Sequence, residues 1–189
     1  MEAIFSVVIL LGLWVVQLSL HVMNRNEGSR AWRDTFHRFI RPAWCVGILG
    51  IILITIYRII VQYRAWEADP LAKFFLPPYQ SITYFYGYTG VRFFAPWLIA
   101  LAAGIIFGSL AELFNRKFGE RFFEKEETRL FALGIFLSGY PGFLFYTIVM
   151  MGFGVVLSLL YMLRHKGRAP LYFAWLPAAI FAILIVRSL

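Results

Sequence analysis

The chain consists of apolar runs about as long as a lipid bilayer is thick, separated by short charged segments. A hydrocarbon core of about 30 Å is crossed by about 20 helical residues. Four runs reach that length, residues 4–23, 43–63, 93–114 and 142–163, and a fifth, residues 171–188, is adequate. Because lipid offers the backbone no hydrogen-bond partners, each run is predicted to be an α-helix.

Two further apolar segments do not fit a simple span. Residues 130–138 are apolar over only half the required length. Residues 74–91 are apolar and aromatic but rich in Pro, Tyr and Gly, which is compatible with an interfacial, a re-entrant or an irregular spanning element. The predicted fold class is therefore all-α: a polytopic integral membrane helical bundle of five to seven membrane segments, one of them broken or half-length. A length of 189 residues predicts a single domain, residues 1–189.

Composition favours a membrane environment. The chain is 61% hydrophobic and 15% charged, whereas soluble domains are roughly 45–50% apolar and about 25% charged. The net charge of +8 comes from residues placed between the apolar runs, where such charges orient a protein in a bilayer. We therefore expect the lipid bilayer as partner and no nucleic acid.

Basic residues are distributed unevenly among the connecting segments. Residues 24–42, 115–129 and 164–169 are rich in Lys and Arg, whereas residues 64–79 carry only Arg64 and Lys73. Cytoplasmic segments of membrane proteins carry the excess of Lys and Arg. The pattern predicts a multi-pass protein of the cell membrane, with the three basic segments cytoplasmic and the N-terminus outside.

This orientation sets conditions on the two irregular segments. It requires that residues 74–91 do not cross the membrane. It also requires that residues 130–138 pair with residues 142–163 in a broken hairpin, whose turn then lies outside. A G-x-x-x-G at Gly104 and Gly108 permits close helix approach, and we expect internal packing from it in preference to a dimer.

An acidic cluster precedes the half-length run. Glu124, Glu126 and Glu127 are crowded there, and two carboxylates that share a proton can activate water for hydrolysis. The second acid of such a pair could come from Glu67 or Asp69. The alternative is a solvated helix start, because acidic residues favour a helix N-terminus. His21, His37 and His165 share no ligand spacing with other metal-binding residue types, so no metal site and no cofactor are predicted.

Features follow one another in a recognisable order from residue 96 to residue 189. They are a long apolar helix (97–114), the sequence EETRLFALG (126–134), a glycine-rich bend (138–142), another apolar helix (143–163), a basic loop (164–168) and the sequence APLYFAWLP (169–177). This order resembles the C-terminal half of the type IV prepilin peptidases, which are polytopic aspartyl proteases. In that family a G-x-G-D-x-K-L-x-A-x-L-G motif stands where this chain has its acidic cluster.

The resemblance implies a candidate catalytic pair and a departure from the family. Glu126 or Glu127 occupies the place of the motif's aspartate, and Asp69, followed by Pro77-Pro78, occupies the place of the family's first aspartate. The G-x-G-D itself is absent, which implies a divergent relative that is catalytically inactive. If it is active, Glu126 or Glu127 would pair with Asp69 to cleave a membrane-anchored peptide substrate at the cytoplasmic interface. The family needs both acids on that side, whereas the charge pattern places Asp69 outside.

Two alternatives need no catalytic motif. One is a non-enzymatic membrane scaffold or accessory subunit that binds a partner subunit. The other is a small-solute transporter, because broken helices often line substrate sites. The long helices carry one central charge, Arg58, which is expected to reach the interface from its position near a helix end.

Overall fold

The computed structural model describes residues 1–23, 29–119, 125–163 and 171–188, and these residues form helices joined by turns, with no strand among them. The predicted all-α fold is confirmed. The helices are α1 (Glu2–Met23), α2 (Ser29–Ala68), α3 (Ile82–Thr89), α4 (Ala95–Lys117), α5 (Lys125–Ser138), α6 (Gly142–Leu163) and α7 (Trp175–Ser188), with a 3₁₀ turn at Ala72–Phe75 and a π-helical turn at Gly90–Phe94.

The half-length run forms α5, which is the centre of the bundle. α5 contacts α1, α2, α4, α6 and α7. Its buried positions cover almost the whole circumference of the helix: Glu127, Thr128, Leu130 and residues 132–137. A helix that is apolar on all sides has to be buried by its neighbours. The segment is short because it is a core element, about 21 Å long, surrounded by other helices.

α4 lies against α5 along the face that carries the two glycines. A methyl group on Gly104 would stand 2.8 Å from the carbonyl oxygen of Ala132, and one on Gly108 would stand 2.7 Å from the Ala132 Cβ. At the other end of the contact, the Trp97 ring lies against Gly139. The two helices are therefore antiparallel and in backbone contact, and the expectation of internal packing for this G-x-x-x-G is confirmed.

α5 and α6 form the expected broken hairpin. α5 ends before Gly139, whose φ of +65° favours glycine, and α6 begins three residues later at Gly142. The Tyr146 ring fills the space above Gly134, where a methyl group would stand 2.5 Å from its hydroxyl oxygen. α7 returns beside α6, with Val186 near Gly142. α7 begins at Trp175, so its α-helix is 14 residues long and shorter than the run predicted from residue 171.

α2 is much longer than the span predicted at residues 43–63. It has 40 residues, which corresponds to about 60 Å. α1 runs antiparallel to it: Phe5 packs on Gly50, and Glu2 pairs with Arg58 at 2.8 Å. The last ten residues of α2 therefore extend beyond the start of α1. The helix ends at Ala68, where Pro70 disfavours a helical conformation of the residue before it.

Residues 74–91 do not form a separate span. α3 continues through the π-helical turn into α4, which gives one continuous helix over Ile82–Lys117. α3 packs back on the end of α2, with ring centroids 5.4 Å apart for Tyr63 and Phe85 and 4.9 Å apart for Trp66 and Tyr88. We call residues 63–92 the aromatic arm. It projects past the start of α1.

The bundle has two ends. One, the α5-start end, contains the end of α1 and the starts of α2 and α5, because His21 contacts Trp32 and His37 contacts Arg129. The other, the arm end, contains the start of α1 and the turn between α5 and α6. The helix ends that flank the three basic segments share the α5-start end. Three described helices are long and apolar enough to cross a membrane: Glu2–Met23, Thr35–Ala68 and Ile82–Lys117.

Candidate functional site

The start of α5, which carries the predicted acids, lies beside the first half of α2. The side chain of Arg129 contacts the ring of His37. Farther along, the Phe136 ring stacks on Trp44 with centroids 5.4 Å apart and an interplanar angle of 8°. From the first contact to the second, the residue numbers increase on both helices. α5 therefore runs parallel to α2, and its first turn lies near the beginning of α2.

Asp69 lies beyond the opposite end of α2. It follows His37 by 32 positions, which corresponds to about 48 Å at 1.5 Å per helical residue. Two groups that share a proton have to lie within hydrogen-bond reach, roughly 2.6–3.2 Å, or be bridged by one water. The structure therefore does not bring Asp69 together with Glu126 or Glu127. Glu67, the other acid considered for the pair, is exposed near the same end of α2 as Asp69.

Asp69 has a structural role where it lies. Its Oδ1 accepts hydrogen bonds from the backbone N–H groups of Leu71 and Ala72, both at 2.8 Å. These hydrogen bonds, with that from Ala72 the stronger influence, lower the pKa of Asp69 below its ordinary value of 3.8. The carboxylate is fully exposed and ionised at neutral pH, and it stabilises the turn that connects α2 to the 3₁₀ turn.

Glu126 and Glu127 lie in the first turn of α5, where the partial positive charge of the helix N-terminus favours acids. Glu126 is partly exposed. Glu127 is only 4% exposed, and it interacts with at least one other group. A buried carboxylate is costly unless it is paired or hydrogen-bonded. Glu127 is thus a buried carboxylate at the α5-start end. Glu124, the third member of the predicted cluster, lies outside the described residues.

Other buried polar groups surround the start of α5. The Nε2 of Gln17 donates a hydrogen bond of 3.0 Å to the carbonyl oxygen of Tyr172, which links α1 to the approach of α7. The ring centroids of Trp175 and Phe131 are 5.3 Å apart, and Phe131 lies one helical turn after Glu127. We call this set the polar layer, and its members are Gln17, Asn115, Glu127, Thr128, Tyr172 and Trp175. Sequence reasoning missed it because its members come from four helices.

The polar layer can anchor helices to one another, but it offers no recognised metal centre. No group of three or more His, Cys, Asp or Glu side chains that could hold a metal ion is found among the described residues. Its chemistry in the described part of the chain is that of one buried carboxylate among amide, hydroxyl and indole groups.

A second polar cluster lies at the arm end. Arg58 pairs with Glu2 and also stacks over the Phe93 ring, 4.5 Å from its centroid. Ser6 and Thr55 are buried nearby on the same two helices, and neither hydroxyl has a hydrogen-bond partner among the described residues. The partner of Arg58 is 56 residues away in the sequence, so no local pattern could have identified it.

A groove of about 580 Å³ lies on the aromatic arm. It is lined by Tyr84, Gly87, Tyr88, Val91 and Arg92. The Arg92 guanidinium lies 5.7 Å from the centroid of the Tyr88 ring. The aromatic character of residues 74–91 was visible in the sequence, and the lining residues all lie between Tyr84 and Arg92, on one face of a continuous helix.

No protein-family model, curated protein or solved structure matches this chain. The relationship to prepilin peptidases thus remains an expectation drawn from the order of sequence features.

Proposed function

We propose that this chain is a non-enzymatic, polytopic protein of the cell membrane that acts as a scaffold or accessory subunit. The observation that carries the proposal is the position of the predicted acids. Glu126 and Glu127 begin the central helix, whereas Asp69 caps a turn about 48 Å away along α2. An aspartyl-type hydrolysis requires two carboxyl groups that share one proton.

The packing around α5 supports a structural role. The surfaces that face α4 and α6 are in backbone or ring contact at Gly104, Gly108 and Gly134. A binding site for a peptide needs a concave cleft beside the reactive groups. The groove described above lies on the aromatic arm, far from the start of α5.

The buried face of α1 argues against a solute path along that helix. Its polar residues Ser6 and Gln17 are separated by Leu10 and Leu13, both buried. The gap from residue 6 to residue 17 corresponds to about 16 Å of apolar lining. The two polar clusters are therefore separate along α1, which disfavours the transporter alternative.

In the orientation that we propose, the α5-start end faces the cytoplasm. Arg116 and Lys117 end α4 at that end of the bundle, and Lys and Arg are enriched on the cytoplasmic side. The N-terminus and the aromatic arm then lie outside. The arm's Trp and Tyr side chains fit that position, because these residues favour the membrane interface.

The proposal predicts that the acidic pair is dispensable for activity. In a strain that lacks the chain, the double variant Glu126→Gln/Glu127→Gln should restore the wild-type phenotype. Glutamine keeps the volume and the hydrogen-bonding capacity but cannot act as a catalytic acid, a function worth about 10²–10⁴-fold in rate. The amount of each variant in the membrane fraction, measured by immunoblot, is the control for folding.

A peptidase predicts the opposite result. The observation that favours it is the burial of Glu127 at the place of the family's catalytic aspartate. If Asp69→Asn and the double glutamine variant both abolish complementation while accumulating normally, the scaffold proposal is wrong. If the glutamine variant fails and its amount is reduced, Glu127 is needed for folding, and Asp69→Asn then decides: it should complement fully for a scaffold and not at all for a peptidase.

A further inference from the structure

The groove on the aromatic arm contains a cation that has no counter-ion in the described part of the chain. The described ion pairs join Glu2 to Arg58 and Glu112 to Arg116. Arg92 is exposed, and no carboxylate of a described residue pairs with it; its guanidinium lies over the Tyr88 ring. No hydrogen bond joins the Arg92 guanidinium to another described residue, and a guanidinium is suited to binding phosphate in a bidentate geometry.

The walls of the groove are apolar and aromatic. The five lining residues follow one another at spacings of one, three and four, so they lie on one face of the helix, where Val91 is 74% exposed beside Arg92. Gly87 contributes no side chain, and no atom lies within 4 Å of the position where its Cβ would be. The groove thus combines one cationic group with open apolar surface, which is the complement of an amphiphilic anion.

The groove also lies at the depth of the lipid headgroups. Arg92 precedes Glu112 by 20 residues, which corresponds to about 30 Å of helix and equals one hydrocarbon thickness. Glu112 and Arg116 mark the polar boundary at the α5-start end. Arg92 consequently marks the other boundary, and Tyr84 to Val91 extend into the headgroup layer, where tyrosine is favoured.

We infer that this groove binds the headgroup phosphate of an anionic phospholipid from the leaflet on the arm side. The Arg92 guanidinium holds the phosphate, Val91 contacts the glycerol, and Tyr88 and Tyr84, which lie farther from the hydrocarbon core, contact the rest of the headgroup. The inference rests on the membrane-spanning arrangement proposed above but not on the absence of catalysis.

The test uses the full-length chain, purified in detergent and incubated with equal amounts of phosphatidylglycerol and phosphatidylcholine. Native mass spectrometry then counts the lipids retained. The wild-type chain should retain phosphatidylglycerol preferentially. Arg92→Gln should lower that retention about tenfold, which corresponds to about 1.4 kcal/mol.

Two further variants separate the groove from general surface charge. Arg187→Gln removes an exposed arginine at the arm end of α7, outside the groove, and should leave retention unchanged. Gly87→Leu fills the groove while it keeps Arg92, and it should reduce retention as strongly as Arg92→Gln. Circular dichroism and the thermal midpoint verify that each variant is folded.

Three outcomes would overturn the inference. Equal losses for Arg92→Gln and Arg187→Gln would indicate unspecific interfacial charge. Equal retention of the two lipids by the wild-type chain would show that the groove does not select an anion. Displacement of the lipid by millimolar inorganic phosphate would identify a site for a free anion. None of these outcomes bears on the complementation test of the acidic pair.

Discussion

At the scale of single residues, Asp69 illustrates how position decides the role of a carboxylate. Its side chain accepts two backbone hydrogen bonds in an exposed turn, which keeps it ionised. Glu127, by contrast, is buried in the first turn of the central helix. The same functional group is therefore a turn cap in one place and a candidate anchor in the other.

The lowered pKa of Asp69 makes a prediction about pH. A carboxyl group whose pKa is lower in the folded state stabilises that state above its unfolded pKa, and the stabilisation is lost as the pH falls through the folded pKa. Hydrogen exchange of the Leu71 and Ala72 amides, corrected for intrinsic rates, should show constant protection from pH 7 to pH 5. Protection should then decrease as the pH falls below 3.8, which is the ordinary pKa of an aspartate side chain.

Asp69→Asn provides the matched control for this titration. The amide oxygen can still accept a hydrogen bond in the turn, but the side chain does not titrate. Protection in this variant should not change in the same pH range. An identical loss of protection in both proteins would show that another group controls the turn.

At the scale of elements, the glycines of α4 have no side chains and therefore allow α4 to approach α5 closely. A methyl group on Gly108 would stand 2.7 Å from the Ala132 Cβ, although the carbonyl oxygen of Thr128 and the Ala132 Cα would remain at ordinary distances of 3.7 and 3.8 Å. A methyl group at position 108 would therefore clash with the methyl group of Ala132.

This geometry predicts a rescue. Gly108→Ala should destabilise the bundle by about 1–3 kcal/mol, the usual range for overpacking. Adding Ala132→Gly removes the opposing methyl group and should recover part of the loss, measured by thermal or denaturant unfolding in detergent. Gly12→Ala in α1 is the control, because open space surrounds that position and the helix gains propensity.

Two results of the same experiment would contradict the close contact between α4 and α5. If Gly108→Ala and Gly12→Ala have the same effect, α4 and α5 are not in close contact. If Ala132→Gly adds its full separate cost to the double variant, the two positions do not interact, since distant sites are additive.

At the scale of the whole molecule, the described helix ends divide into two groups at opposite ends of the bundle. The proposed orientation can be tested by labelling single cysteines in a Cys45→Ser background with a membrane-impermeant maleimide. Tyr79→Cys, on the aromatic arm, should be labelled in intact cells. Lys117→Cys, at the end of α4, should be labelled only after the cells are opened.

The inverse labelling pattern would reverse the orientation. Labelling of both positions in intact cells would contradict a single orientation. Both native residues are exposed, so the reagent can reach either position wherever water does.

Much of the helical content could be predicted from the sequence, because length and mean apolarity are sums over neighbouring residues. The runs at residues 4–23, 93–114 and 142–163, the broken hairpin and the internal glycine contact were all predicted. The aromatic arm was not, because residues 74–91 read equally well as an interfacial, a re-entrant or a spanning segment. The structure joins Ile82–Thr89 to α4 through the π-helical turn and packs it against Tyr63 and Trp66 of α2.

By itself, the sequence determined that this chain folds into apolar helices with its basic residues in particular connections. The tertiary structure alone decided that the half-length run is the centre of the bundle, that Arg58 pairs with Glu2, and that Asp69 lies far from Glu126 and Glu127. The physical reason is that hydrophobicity acts along the chain, whereas distances between side chains depend on which helix faces pack together. The residues on those faces are tens of positions apart in the sequence, so no local periodicity predicts which of them come into contact.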